Sequence, residues 1–355
     1  MPIRIAHLPV GPDEPLFVIA ELGLNHRGSR DEAIAMVDAA AHAGARAIKL
    51  QTLTATRLVA RDAPAPPHVA ASSMRDFFRQ FELSEADHAA IAARARLRGL
   101  AFLSTPFDEQ AVGLLESVGC DAYKIASGDL TNDRLIGRAA RTGKPLLLST
   151  GMSTLAQIHD ALVWAREGGA TDIVLLHCVS AYPVPSGSEN LGALTEIARL
   201  FGLPIGLSDH GTDPLNVAIA VTLGASVYER HFILQRAPGD ADAEVSATPE
   251  ELTCLVQTAA RARTILGGGE KCPLPAEAGN IAASRRGLYA ARALRAGETI
   301  TADDIVALRP AADLEPRQWR DLIGRRIGRD MPEGAAFLER DAPKAARPTR
   351  GSRAA

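Results

Sequence analysis

Lysine is scarce in this chain. Of its 39 basic residues only five are lysine, and the other 34 are arginine. Aromatic residues make up 4% of the 355-residue sequence, so the core must be built mainly from aliphatic side chains. The four cysteines (Cys120, Cys178, Cys254, Cys272) form no C-x-x-C pair and are expected to be reduced thiols of a cytoplasmic protein. No uninterrupted apolar run approaches the length of a membrane span. The opening residues, Met1-Pro2-Ile3-Arg4, lack the apolar stretch of a secretory signal. A formal net charge of −3 argues against a dedicated nucleic-acid binder. No G-x-G-x-x-G follows an apolar run, which speaks against an open dinucleotide-binding sheet.

What the sequence does have is rhythm. Apolar residues are 46% of the chain, enough for a sizeable core. Short apolar runs recur at Leu16–Ile19, Ala47–Thr52, Ala101–Thr105 and Ala122–Ser127, then at Pro145–Thr150, Asp172–His177, Pro204–Leu207 and Ser226–Tyr228. Helical patterns separate them, for example over 153–167 and 213–223. Apolar strands alternating with helices imply a parallel sheet buried on both faces. Eight such units in about 250 residues predict an α/β fold, a closed (β/α)8 TIM barrel, with an open doubly wound sheet as the alternative. One interval is long. Between Thr52 and Ala101 lies an extra stretch that includes Asp62-Ala63-Pro64-Ala65-Pro66-Pro67. It is either a lid over the C-terminal mouth or a surface insertion.

Barrel active sites lie at the C-terminal ends of the strands. Those ends carry Glu21 with Asn25 and His26, Lys49 with Gln51, Ser104 with Thr105, and Lys124 with Ser127. Ser149 with Thr150, His177 with Ser180 and Tyr182, Asp209 with His210, and Glu229 with His231 complete the ring. Gly206-Leu207-Ser208-Asp209-His210 and Tyr228-Glu229-Arg230-His231-Phe232 end two successive strands. If those strands are parallel neighbours, the two imidazoles emerge at one edge, a half-site for a divalent metal; two incidental histidines are the plainer reading. Two of the five lysines, Lys49 and Lys124, sit inside apolar strands, where an unpaired ammonium is costly. They can be cradles for phosphate or carboxylate, a Schiff-base nucleophile, or structural ion pairs.

The motifs resemble the sialic acid synthase family, which includes legionaminic and pseudaminic acid synthases. The resemblance begins at Ala20-Glu21-Leu22-Gly23-Leu24-Asn25-His26-Arg27-Gly28 and Lys49-Leu50-Gln51-Thr52. It continues through Ser104-Thr105-Pro106-Phe107, Tyr123-Lys124-Ile125-Ala126-Ser127-Gly128 and Ser149-Thr150-Gly151-Met152. Leu176-His177-Cys178, Tyr182-Pro183 and the two histidine motifs follow in order, so nearly the whole chain is covered. The resemblance implies condensation of phosphoenolpyruvate with an N-acetylated amino sugar, such as N-acetylmannosamine, to a nine-carbon 2-keto acid with release of phosphate. The rivals are another phosphoenolpyruvate synthase or aldolase on the same barrel, and an inactive sugar-binding protein.

The resemblance also implies roles. His210 and His231 would hold Mn²⁺ or another divalent ion such as Mg²⁺ or Co²⁺. Lys49 and Lys124 would bind phosphoenolpyruvate, with Gln51, Thr105, Ser127 and Ser149 near them. Glu21 and Asp242 would serve the chemistry, and Tyr182 would line the sugar pocket. A small all-β module resembling type III antifreeze proteins (an SAF domain) is expected at 284–341, after a barrel at 1–266 and a linker at 267–283. A disordered tail would follow at 342–355. Arg309 in that module would reach the substrate of a partner subunit in a domain-swapped homodimer. Residues 285–355 carry 15 basic and 10 acidic side chains, net +5, which leaves −8 for the rest. Three positions depart from the family pattern: Asp129 where Glu is common, Ser180 in place of Asn, and Ala243 in place of His or Ser. All three lie at the sugar end, so the acceptor stays open among the sialic, legionaminic and pseudaminic types.

Overall fold

A computed structural model describes residues 3–64, 73–237 and 240–341. The chain divides into two compact units, 1–267 and 268–355. The first opens with an antiparallel hairpin, β1 (Ile3–Ile5) and β2 (Leu8–Val10). Eight parallel strands follow: β3 (Phe17–Gly23), β4 (Ala47–Thr52), β5 (Ala101–Pro106), β6 (Ala122–Ile125), β7 (Leu146–Ser149), β8 (Ile173–Cys178), β9 (Ile205–Asp209) and β10 (Val227–His231). They close in sequence order, β10 pairing with β3, so the predicted (β/α)8 barrel is the fold.

The crossovers are α1 (Arg30–His42), α4 (Glu85–Leu97), α5 (Glu109–Ser117), α6 (Asp133–Ala140), α7 (Leu155–Glu167), α8 (Ala193–Phe201) and α9 (Leu215–Thr222), with α10 (Pro249–Leu266) completing the ring. Their starts are written locally. Ser29, Ser84, Asp108, Asn132, Thr154 and Thr248 each accept a backbone N–H from the first turn of their helix. Helix-facing strand residues such as Ile48, Phe102 and Tyr123 pack with Met36, Ile91, Leu115 and Ile158 in the layer between strands and helices.

Residues of the other parity point into the barrel. Phe17, Ile19, Ala47, Ala101, Leu103, Leu147, Val174 and Val227 form an interior apolar cluster with Ile3, Ile5 and Val10 of the hairpin. The hairpin was not anticipated; it plugs the N-terminal end of the barrel. Two residues further along five of the strands the same parity turns polar: Glu21 after Ile19, Lys49 after Ala47, Thr105 after Leu103, Ser149 after Leu147 and Glu229 after Val227. The histidine strands run further than their apolar runs, through Ser208-Asp209 and Glu229-Arg230-His231, because these buried polar side chains have partners.

The long interval after β4 contains α2 (Ala55–Leu58) and α3 (Met74–Arg79); residues 65–72, within the expected lid, lie outside the described residues. Phe81, Leu24 and Leu53 anchor it in a cluster with Leu58, Phe77, Phe78 and Phe107.

In the second unit, α11 (Ala278–Ser284) occupies the end of the stretch read as a linker, where Ala278, Ala282 and Ala283 favour a helix. β11 (Gly287–Ala290) pairs antiparallel with β12 (Ile305–Leu308). A short α12 (Trp319–Leu322) and turns surround a core of Leu288, Leu294, Ile300, Leu322, Ile327 and Phe337. Gly297 and Gly334 take positive φ in the turns of this module, a conformation glycine adopts without steric cost. The expected tail at 342–355 lies outside the described residues.

Gly206 makes a test of the barrel wall. A Cβ there would lie 2.5 Å from the Val227 carbonyl oxygen and 2.7 Å from Val227 Cβ, in the neighbouring strand. Gly206→Ala is expected to cost about 1–3 kcal/mol by overpacking, each kcal/mol lowering Tm by roughly 2–4 °C. Gly113→Ala in α5, where a Cβ meets nothing within 4 Å, should be neutral or stabilising. Differential scanning calorimetry on the pair checks this; equal Tm values would contradict the packing argument.

Candidate active site

The strand ends and the loops after them enclose a 760 Å³ cavity at the C-terminal mouth. Its floor is ionic. Lys49 Nζ lies 2.7 Å from Glu21 Oε2 and 3.6 Å from Glu229 Oε2, and it donates to Thr105 Oγ1 at 3.0 Å. Lys124 Nζ donates to Glu229 Oε1 at 2.9 Å. Gln51 Nε2 donates to Glu21 Oε1 and Ser208 Oγ to Glu229 Oε1. Four buried charges thus alternate in sign across the barrel as Glu21, Lys49, Glu229 and Lys124. Burial alone would raise the Glu229 pKa, but the ammonium groups of Lys124 and Lys49 hold it well below the usual carboxylate range. Burial would lower that of Lys124, and the Glu229 carboxylate holds it above the usual lysine value. Glu21 Oε2 and Glu229 Oε2 are buried without a well-directed hydrogen bond, and the Lys49 ammonium lies near both.

Beside this floor stand the two histidines. Their ring centroids are 5.3 Å apart, and the Tyr182 ring stacks 4.1 Å from that of His210. His210 Nδ1 lies 3.1 Å from the Val179 carbonyl oxygen. A carbonyl only accepts, so Nδ1 carries the proton and Nε2 keeps its lone pair. Burial, then the proximity of His231, brings the His210 pKa down to about 3. His231 Nδ1 is 3.4 Å from Asp242 Oδ2. Gly23, at φ +51 and next to an irregularity in the β3–β4 register, permits this approach, since a Cβ there would sit 3.2 Å from both atoms. Among the described residues no group of three or more His, Cys, Asp or Glu is arranged to hold a metal. His210, hydrogen-bonded at Nδ1, and His231, with the Asp242 carboxylate 3.4 Å from its Nδ1, fit a partial coordination shell whose other places would fall to water or substrate.

The remaining walls differ in character. Ser127, Gly128, Asp129 and Ser180 form a polar side, with the Gly151 N–H donating to Ser127 Oγ at 3.1 Å. Burial raises the Asp129 pKa, opposed by Asn132. Leu58, Val59, Met74, Phe78 and Phe107 form an apolar side contributed mainly by the segment with α2 and α3.

Of the residues singled out in the sequence, Glu21, Lys49, Gln51, Thr105, Lys124, Ser127, Asp129, Ser180, Tyr182, His210 and His231 all line this cavity. Ser149 does not; it is fully buried with an unpaired hydroxyl. Asp242 stands behind His231 rather than on the wall. Arg309 belongs to the second unit, directly after β12. Glu229 was passed over as an assigned site residue although it bridges both lysines. Its signal was a carboxylate at the inward parity, two residues after the apolar Val227. His26 is a ring residue that does not line the cavity. Its Nδ1 accepts from the Gly28 N–H, and Nε2 is buried without a partner.

A closed parallel barrel with paired buried charges and a histidine pair at its C-terminal mouth has the site placement of a barrel enzyme. The chain is a member of the NeuB family, whose model matches residues 36–271, and an SAF-domain model matches 285–341. It is 35% identical to the N,N'-diacetyllegionaminic acid synthase of Legionella pneumophila, over 93% of this chain and 95% of that one. It is 32% identical to the pseudaminic acid synthase of Helicobacter pylori, over 92% and 99% respectively. The crystal structure of the N-acetylneuraminic acid synthetase of Leptospira borgpetersenii, in complex with citrate, superposes with a TM-score of 0.72 at 32% identity, covering 79% of this chain and 95% of that one.

His26 gives a pH test. Burial, then His88, lowers its pKa from 6.5 to about 4. The unfolded chain therefore binds the proton first, so its contribution to stability is full above pH 6.5 and declines as pH falls towards 4. The loss amounts to about 3 kcal/mol. Urea midpoints at pH 7 and pH 4.5 should diverge more in the wild type than in His26→Gln. An identical divergence would remove His26 as the source.

Proposed function

We propose that this protein is a nonulosonic acid synthase that condenses phosphoenolpyruvate with an N-acetylated amino-sugar aldose, releasing phosphate and a nine-carbon 2-keto acid. The observation that carries the reading is the floor of alternating buried lysines and glutamates beside the histidine pair. Lys49 and Lys124, with Thr105 and Ser127, would hold the phosphate and carboxylate of phosphoenolpyruvate. Glu21 Oε2 and Glu229 Oε2 would accept hydrogen bonds from the sugar, and Tyr182 would cover it. The methylene carbon of phosphoenolpyruvate attacks the aldehyde carbon, water adds at the cationic C2 that results, and phosphate leaves with its bridging oxygen. Glu229, kept ionised by its lysines, is a fixed negative charge for that developing cation.

Charge balance supports a metal. Two lysines and two glutamates sum to zero, so the floor has no surplus positive charge for a substrate bearing phosphate and carboxylate. His210 and His231 would hold Mn²⁺, or Mg²⁺ or Co²⁺, with Asp242 orienting His231. Bound there, a divalent ion supplies positive charge and Lewis-acid polarisation of the aldehyde oxygen. A cytoplasmic setting suits the four free cysteines. No described helix is long and apolar enough to cross a membrane.

The test is phosphate release from phosphoenolpyruvate over a panel of N-acetylated aldoses. Chelation should abolish it and Mn²⁺ restore it. With ¹⁸O in the bridging position, the label should leave in phosphate. Label retained in the keto acid, or full turnover in chelated enzyme, would contradict the chemistry.

Arg309 would complete each site from a partner subunit of a swapped homodimer. The basic balance of residues 285–355 against an acidic remainder suits that arrangement. Arg309→Ala and His210→Ala, each inactive alone, should on random subunit exchange recover up to about a quarter of wild-type activity, because mixed dimers have one intact site. A mixture that stays inactive after demonstrated exchange rules out action in trans.

A further inference from the structure

The two histidines leave the barrel beside a second buried network on the opposite face of the same strands. Asp209 immediately precedes His210, Arg230 immediately precedes His231, and the two are register partners in β9 and β10. Glu229 and His231 line the cavity, so Arg230 between them points outward, towards the helices. Asp209 is 4% and Arg230 7% exposed.

Asp209 is fully used. Its Oδ1 accepts from the Gly211 N–H at 2.8 Å and from Asn216 Nδ2 at 3.2 Å. Its Oδ2 accepts from the Tyr228 hydroxyl at 2.7 Å and lies 3.4 Å from Arg230 Nη1. Arg230 Nη1 also donates to the Gly211 carbonyl. A Cβ on Gly211 would fall 2.6 Å from Asn216 Nδ2, so the loop after His210 passes against the network with no room to spare. His210 is thereby bracketed: its predecessor and its successor are tied to β10 and to the first turn of α9, while its own carbonyl accepts from the Val184 N–H at 3.1 Å. None of these groups faces the cavity. A buried ion pair is a costly way to gain stability, since apolar residues of the same volume often serve as well. What it does supply is fixed geometry.

We propose that Asp209 and Arg230, with Tyr228, are positioning residues that set the separation and orientation of His210 and His231, and so the affinity of the site for a divalent ion. This rests on the reading that the two histidines hold such an ion. Outer residues that orient metal-binding histidines commonly change metal affinity by about 10–100-fold. Here the effect is transmitted through the backbone of adjacent residues rather than by a hydrogen bond to the ring.

The experiment is Mn²⁺ binding to metal-stripped full-length protein without substrate, by calorimetry and by electron paramagnetic resonance of free Mn²⁺. Phosphoenolpyruvate affinity of the same metal-free samples is measured in parallel. Asp209→Asn keeps the shape but turns one acceptor towards Arg230 into a donor. Tyr228→Phe removes one hydroxyl and is the variant least apt to disturb folding. The expected result is a rise in the Mn²⁺ Kd of about tenfold or more for Asp209→Asn and severalfold for Tyr228→Phe, with phosphoenolpyruvate affinity within twofold of wild type. Should Asp209→Asn fail to fold, Tyr228→Phe decides alone. Wild-type Mn²⁺ affinity in the folded variants overturns the proposal while leaving the metal reading intact. An equal loss of phosphoenolpyruvate affinity also overturns it, because general loosening of the barrel then explains the result. No Mn²⁺ binding by the wild type overturns both.

Discussion

The chain of charges from Glu21 through Lys49 and Glu229 to Lys124 is the constraint on which the rest of this barrel depends. The four side chains come from β3, β4, β10 and β6, so the chain crosses the barrel interior rather than following neighbouring strands. A single unpaired charge at this depth would cost several kcal/mol. Alternation of sign, with Gln51 and Ser208 donating to the carboxylates and Thr105 accepting from Lys49 at the edges, is what lets four of them stay. The arrangement holds only if β10 closes against β3, because closure brings Glu229 within reach of Lys49. The electrostatics of the cavity floor and barrel topology are therefore one requirement.

That dependence explains what the sequence reveals and what it hides. The fold was legible because each strand carries apolar residues at both parities, and six of the eight helices around the barrel begin at a side-chain cap. The site was legible because inward parity changes from apolar to polar towards the C-terminal ends of alternate strands: Ile19 to Glu21, Leu103 to Thr105, Leu147 to Ser149. A lysine within an apolar run is conspicuous in a chain with five lysines. The pairing of those lysines was not legible. Phosphate cradle and structural ion pair were alternatives on sequence grounds. The structure shows both lysines held by carboxylates, a state compatible with binding an anion once further positive charge arrives. Glu229 was underweighted because it sits between Tyr228 and Arg230, both of which serve the outer face.

Hidden for a different reason were the hairpin at 3–10, the helices α2 and α3, and the outward pair Asp209–Arg230. The hairpin strands are three residues each, too short for periodicity to register. α2 and α3 have four and six residues and take their stability from the cluster around Phe77, Phe78 and Phe81 rather than from their own propensity. Asp209 and Arg230 look like parts of the histidine motifs. Only the register of β9 against β10 shows that they face the other way.

The same logic locates substrate discrimination. The floor cannot vary without breaking the ion chain, since altering any one member strands its neighbour's charge. The walls are not bound in this way. Ser127 and Asp129 stand on a short 3-10 turn after β6, Ser180 and Tyr182 on the loop after β8, and Met74 and Phe78 on the insertion after β4. These are connections that can change length and side chain while the strands stay fixed. The three departures from the family pattern, Asp129, Ser180 and Ala243, all lie on such connections. A polar wall opposite an apolar one calls for a substrate with hydroxyl or amide groups on one side and methyl or methylene groups on the other. The division of the cavity is consequently one of constraint as well as chemistry: an ionic floor whose members depend on one another, and loop-borne walls that can change around it.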